Sequence, residues 1–253
     1  MRKNKILLGE MTRKEAETRF NSNTVFLLPV GSIEQHGPHL PLDTDAFDAN
    51  YLCIECANRC TEPKPVVLPP VYYGVSMHHM HYKGTITIMP ETLVALITDI
   101  CESLVSHGAR KIMVVNGHGG NTHALCIALQ KLSYRYENVL FVLDNGALAE
   151  STRKNLFPDR NDVHAGEYET STSLYNREHL VQLENIKCGK IAFPSRFLEF
   201  GAPNRAYYFP FMDVVSTNGV LGNPEKASKE KGREMWEAMI NALVEFVEEI
   251  KKI

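Results

Sequence analysis

Apolar positions along this chain follow two rhythms. TVFLLPV (24–30), KIMVVNG (111–117) and NVLFVLD (138–144) are short, nearly continuous apolar runs without polar alternation. Runs of that length bounded by turn residues suit strands covered on both faces. VVLPPVYYG and GTITI are strand-like pieces interrupted by turns. Between these runs lie segments with helical spacing: 46–60, 90–108 closed by Gly108, and 122–136. Thr12 with Glu15 three residues on is a capping-box pattern. Asn223–Pro224 is expected to open a long C-terminal helix, with Asn as the cap and Pro in its first turn. Alternation of this kind predicts an α/β fold with a mostly parallel central sheet covered by helices on both faces. No repeat, low-complexity tract or linker interrupts it, so residues 1–253 are read as one domain.

In such sheets, sites form beyond the carboxyl ends of the strands. Polar clusters fall near those places. The stretch VGSIEQHGPHLPLDTD (30–45) follows the first strand and carries Glu34, His36, His39, Asp43 and Asp45. NGHGGNTH follows the second, with His118 and His123. VHAGEYETS follows the third after some distance, with His164, Glu167 and Glu169. Glycines flank His118 on both sides, and glycine permits positive φ and close backbone approach. That turn also opens a helix, whose N–H groups at Gly119 and Gly120 suit a developing oxyanion. Imidazoles with carboxylates and no thiolate suit Zn²⁺, Mn²⁺ or Fe²⁺. Glu34 and His36 can serve different ions, Asp45 can bridge them, and His118 can complete one of them. The same groups also fit solvated loop charges around a helix-capping aspartate, and spacing does not choose between the two. NGHGGN has neither the GxGxxG spacing nor the lysine of a phosphate loop, and no GxSxG nucleophile elbow is present.

Composition narrows the classes. Of 253 residues, 44% are hydrophobic and 23% charged, with a net charge of −3 and no basic run, which gives no sign of a nucleic-acid partner. No apolar stretch approaches the ~20 residues of a membrane span. The start, MRKNKILLGE, has too short an apolar core for a signal peptide, so a cytoplasmic protein is expected. Cys53, Cys56 and Cys60 share the spacing of one helix face and are expected as buried thiols, as are Cys126 and Cys188. AYYFPF (206–211) is an apolar run outside the strand–helix alternation. It suits an interface, a pocket wall or a core strand.

LPVGSIEQHGPHLPLDTD, NGHGGN and HAGEYETS, with YGVS-x-HH and GV-x-G-N-P, resemble the creatininase (creatinine amidohydrolase) family in order over about residues 24–230. The resemblance implies a three-layer α/β/α sandwich and a metal-dependent amidohydrolase. It implies two divalent metal ions (Zn, Mn or Fe) and a homo-oligomer, hexameric in creatininase itself. Carried over by motif, Glu34, His36, Asp45 and His118 are metal ligands, with Asp45 bridging. Creatininase proper has a further ligating carboxylate where this chain has Gly120; Glu169 is the candidate replacement. His164 matches a histidine that moves a proton, and with Glu169 it forms the catalytic pair. Ser76, His79, Gly119 and Gly120 are the expected substrate contacts.

Creatininase also closes tryptophans over its substrate, whereas Trp236, the single tryptophan here, lies in the C-terminal helix. NGHGGN with HAGE-x-ETS is closer to the branch of formamide hydrolases and a peptidase acting on the mycofactocin precursor. The expected activity is therefore hydrolysis of a small-molecule amide, a formamide or a peptide by a metal-bridging water. The alternative is a non-catalytic metal- or ligand-binding protein on the same fold. Lys83, in HYKGT, is either a pocket-mouth cation for an anionic substrate or a solvated surface lysine.

Overall fold

A computed structural model describes residues 5–200 and 206–253. Strands β1 (Val25–Val30), β2 (Val66–Val67), β3 (Lys111–Asn116) and β4 (Leu140–Asp144) form a parallel sheet in the order β2-β1-β3-β4. The helices among the described residues are α1 (Arg13–Glu17), α2 (Thr44–Arg59), α3 (Pro90–Ser106), α4 (Thr122–Arg135), α5 (Glu150–Leu156), α6 (Glu167–Asn176), α7 (Met212–Val215) and α8 (Lys229–Ile250).

The strand pleat sorts side chains into two cores. Phe26, Leu28, Val30, Ile112 and Val114 pack with Leu93, Ile97, Leu125 and Leu132 of α3 and α4. Val25, Leu27, Met113 and Val115 pack on the other face with Cys53, Cys56, Leu243 and Val247 of α2 and α8. Every residue of β1 and β3 is buried, which is why these strands read as unbroken apolar runs. The three-layer α/β/α sandwich is thus observed.

Four local expectations change. The expected long helix from Asn223 is two elements. The Asn223 side chain accepts from the Glu225 amide and caps a single turn, Pro224–Lys226; α8 begins anew behind Ser228, whose hydroxyl accepts from Lys231. VVLPPVYYG contributes only Val66–Val67 to the ladder, because Pro69 and Pro70 have no N–H to give. GTITI is not a strand; Ile86 makes one isolated bridge to Ile33. Cys188 is exposed and Cys126 half-buried, so neither is the buried thiol expected, whereas Cys53, Cys56 and Cys60 are buried. The Thr12–Glu15 capping box forms as predicted.

Candidate active site

The carboxyl ends of β1 and β3 lie side by side, paired up to Val30 and Asn116. The first turn of α2 is pressed against both. A Cβ on Gly31 would lie 2.3 Å from Ala46 Cα, and one on Gly117 would lie 2.3 Å from Asp45 O. Glycine at these two positions lets the helix start approach the strand ends and brings Asp45 between them. None of Gly117, Gly119 and Gly120 has positive φ, so close approach rather than backbone handedness explains the glycines around His118. A Cβ on Gly119 would meet no atom within 4 Å, whereas one on Gly120 would meet Val75 O at 2.2 Å and His118 Nε2 at 2.4 Å. A carboxylate side chain at Gly120 would require the Val75 carbonyl and the His118 ring to shift.

The six expected metal-binding and catalytic residues converge. Asp45 Oδ1 lies 3.0 Å from His36 Nε2 and Oδ2 lies 2.9 Å from His118 Nδ1. Ser32 Oγ donates to Asp45 Oδ2 at 2.7 Å. Glu34 Oε2 is 3.2 Å from His118 Nε2, and Glu34 Oε1 is 3.6 Å from His164 Nδ1. Glu169, at the start of α6, brings Oε2 to 3.8 Å from His36 Nε2 and accepts from the Ala165 amide at 2.5 Å. Asp162 holds that helix end by accepting from the Glu167 and Tyr168 amides at 2.7 and 2.9 Å. The imidazole rings of His36 and His79 flank that of His164, at 4.4 and 4.5 Å between centroids.

Electrostatics reflect two buried carboxylates, Glu34 and Asp45, and the half-buried Glu169 among these rings. Burial drives the Glu34 carboxyl up and lifts Glu169 to about 8 against the pull of His36. Burial opposes a charged His36, but Asp45, Glu169 and Glu34 outweigh it and raise the ring to about 10. The same opposition, with Glu34 and Asp45 prevailing, raises His118 to about 9. Asp45 stays well below the usual carboxylate range, because His36 and His118 outweigh its burial. Burial, then the neighbouring His36, pushes His164 well below the imidazole range. His36 and His118 therefore carry protons where cations would otherwise balance the carboxylates.

The donor set fits divalent ions. Glu34 Oε2 is buried with no hydrogen-bond partner. Glu34 with His36 and Asp45, His36 with His164 and Glu169, and Glu34 with His118 and His78 each converge within 4.8 Å. His36 Nδ1 lies 3.2 Å from the Glu34 carbonyl, the backbone anchor that orients a ligating imidazole.

A cavity of about 720 Å³ opens over this cluster. Of the expected substrate contacts, His79, Gly119 and Gly120 line it and Ser76 does not. Ser76 is fully buried, with Oγ 3.3 Å from His118 Nε2. Much of the remaining lining is apolar or aromatic, including Met77, Phe200, Tyr207, Phe209, Phe211 and Met212. AYYFPF is thus a pocket wall. Phe211 stacks on His81 at 3.9 Å, and His81 pairs with Asp213 at 2.9 Å. Lys83 is exposed and lines no part of the cavity. Trp236 is buried away from it, donating to Thr172 O. His39 sits behind the cluster, 2.8 Å from Thr170 Oγ1, and Asp43 is bound by Arg177 at 2.7 Å.

Sequence reasoning misses Ser32 and Gln35, which touch Asp45 and His79 respectively. The one signal for either is position within the same irregular loop as Glu34 and His36.

The family profile described as "Creatininase: Creatinine amidohydrolase" matches residues 9–247. The chain is similar to the mycofactocin precursor peptide peptidase of Mycolicibacterium smegmatis, 34% identical over 224 residues, covering 87% of this chain and 83% of the relative. It is similar to the creatinine amidohydrolase of Pseudomonas putida, 27% identical over 264 residues and 96% of each chain. The crystal structure of a creatinine amidohydrolase (creatininase) matches with a TM-score of 0.80 and 27% identity, over 96% of both chains. Solved creatininases include a Zn–Zn type and a Mn form.

Proposed function

Because this chain belongs to the creatininase family, we propose that it hydrolyses the C–N bond of an amide substrate larger than creatinine, using two divalent ions held by Glu34, His36, Asp45, His118 and Glu169. One observation carries the metal assignment: Asp45 presents one oxygen to His36 and the other to His118, beside the buried Glu34 Oε2, which makes no hydrogen bond and has His118 Nε2 3.2 Å away as its ionic neighbour. When bound, Zn²⁺, Mn²⁺ or Fe²⁺ supplies Lewis acidity that makes water nucleophilic near neutral pH and polarises a carbonyl.

The chain's own groups do the rest. Water adds to the amide carbon, the C–N bond breaks, and a proton passes to the departing nitrogen. His164, whose depressed basicity keeps its ring neutral, takes and returns that proton, with Glu169 beside it. The N–H groups of Gly119 and Gly120 steady the developing oxyanion. Glu169 stands in for the carboxylate missing at Gly120.

The cavity supports the substrate class. Pockets of about 300–1,000 Å³ accommodate drug-sized ligands, and this one is lined by aromatic side chains as well as by the cluster. An amide with an aromatic or large apolar flank, such as a short peptide, suits that wall. The higher identity to a peptidase than to a creatinine hydrolase points the same way. The proposal takes residues 1–253 as one cytoplasmic domain working as a homo-oligomer.

The test is an assay of Zn²⁺-, Mn²⁺- and Fe²⁺-reconstituted protein against creatinine, formamides and short peptides with aromatic flanks. Peptide or aryl-amide turnover well above creatinine turnover is expected. Creatinine turnover matching the best substrate sinks the substrate class. Protein that binds none of these metals, with Glu34→Ala and His118→Ala unchanged in stability on metal addition, sinks the metallohydrolase assignment.

A further inference from the structure

Gln35 stands between Glu34 and His36 in the chain, and its side-chain amide is anchored at both ends. Oε1 accepts from the Gly37 amide at 2.9 Å. Nε2 donates to the Gly219 carbonyl at 3.1 Å. A backbone N–H only donates and a carbonyl only accepts, so these anchors decide which end of the amide is oxygen and which is nitrogen. Gly219 has φ +81°, and a Cβ there would lie 2.1 Å from Gln35 Oε1; the glycine makes room for the amide.

The same Nε2 lies 2.8 Å from His79 Nδ1. An amide nitrogen offers no acceptor, so His79 Nδ1 carries the lone pair and the ring proton sits on Nε2. That nitrogen lies 3.3 Å from Glu34 Oε1. The backbone of Gln35 plays the opposite part toward His164. Its carbonyl is 2.8 Å from His164 Nε2, so that nitrogen carries the proton and Nδ1 is left bare toward the cluster. Gln35 Nε2 also comes within 3.1 Å of His164 Nε2; the carbonyl contact is shorter and can only be an acceptor, so it sets the proton.

We propose that Gln35 is a positioning residue that sets the ring-proton positions of His79 and His164, so that His79 holds Glu34 Oε1 and Glu34 Oε2 is left for a cation. The last clause rests on the proposed metal site; the first does not. Outer partners of metal ligands commonly set affinity by 10–100-fold.

The experiment uses the full chain labelled with ring-¹⁵N histidine and measures imidazole ¹⁵N resonances by NMR, without metal. His79 is identified by the signal lost in His79→Gln. The expected result is His79 protonated at Nε2 in the parent. Gln35→Leu removes the donor and mixes the two ring forms of His79. Gln35→Glu, nearly isosteric, puts an acceptor opposite Nδ1 and moves the proton there. In parallel, chelator-competition titration with Zn²⁺ alone is expected to show binding about 10–100-fold weaker in both variants, with His107, remote from the cluster, unchanged in its resonances. His79 protonated at Nδ1 in the parent, or unaltered ring forms in Gln35→Glu, overturns the proposal. If Gln35→Leu fails to fold, Gln35→Glu decides alone. A parent that binds no Zn²⁺ overturns the metal site, while the resonances still decide the role of Gln35.

Discussion

Gly120→Ala is the smallest change that tests whether the turn after β3 is as tight as it looks. Ordinary van der Waals contact begins near 3.4 Å, so the new methyl, at 2.2 Å from Val75 O and 2.4 Å from His118 Nε2, is short by about 1.2 and 1.0 Å. Val75 cannot retreat easily, because its amide is held by Asn121 Oδ1 at 2.8 Å. The His118 ring must yield, and with it the 2.9 Å contact to Asp45 Oδ2. Overpacking of this kind costs about 1–3 kcal/mol. At about 2–4 °C per kcal/mol for a chain of this size, Tm should fall by roughly 2–12 °C. A shift of about 1 Å in the ring of His118, a proposed metal ligand, should lower kcat by about 100-fold. Differential scanning calorimetry, Zn²⁺ titration and hydrolysis of the best amide substrate read these effects. Gly119→Ala is the internal control for Tm and Zn²⁺ affinity, since nothing lies within 4 Å of its Cβ position. Parental Tm, Zn²⁺ affinity and kcat in Gly120→Ala, or an equal loss of Tm and Zn²⁺ affinity in Gly119→Ala, would refute the claim that Gly120 is shaped by His118.

Other outcomes follow from the same geometry. His36 and His118, raised from 6.5 to about 10 and about 9, and Glu169, raised from 4.5 to about 8, all bind protons more readily folded than unfolded. The stability each adds to metal-free protein is full below its unfolded value and lost as pH rises through its folded one. Tm in chelator should therefore fall as pH rises from 6.5 to about 10. Zn²⁺ binding, which displaces those protons, should tighten over the same interval; a flat Tm and a pH-independent Kd would contradict both. Asp162→Ala strips two acceptors from the start of α6; a loss of about 1–2 kcal/mol and weaker Zn²⁺ binding through a loosened Glu169 are expected, and unchanged calorimetry would count against it. Phe209→Ala should raise KM for aryl-flanked amides by about 2–10-fold at constant kcat, while equal KM would remove Phe209 from the substrate wall.

The parts of this fold legible in the sequence are those whose side chains sit in one uniform environment. β1 and β3 are buried throughout, so an apolar run alone locates them. Apolar content overstates β2 because it does not report whether an N–H is available, and two prolines end its ladder after Val67. The C-terminal helix reads as starting too early because Asn223 and Ser228 are both good caps and both are used, the first for a single turn and the second for α8. In the site, ionisable groups are legible because six of them fall in three short stretches of loop and helix start. Gln35 and Ser32 carry no charge and follow no period, so their importance lies wholly in whom they touch.

The same distinction explains the glycines of NGHGGN. In the sequence they suggest conformational freedom, whereas the structure uses absence of volume: Gly117 admits α2, and Gly120 admits the ring of His118. A side chain at position 120 therefore requires the Val75 carbonyl and the His118 ring, now beside Asp45, to shift. On the proposed metal site, the carboxylate missing at Gly120 is supplied by Glu169, whose Oε2 lies 3.8 Å from His36 Nε2. Drawing it from the start of α6 ties the cluster to the HAGE turn, where Ala165 is held at φ 50° and donates to Glu169. The departure at Gly120 and the dependence on α6 are then one structural change, and variants at Gly120 and at Glu169 should fail together rather than additively in Zn²⁺ affinity.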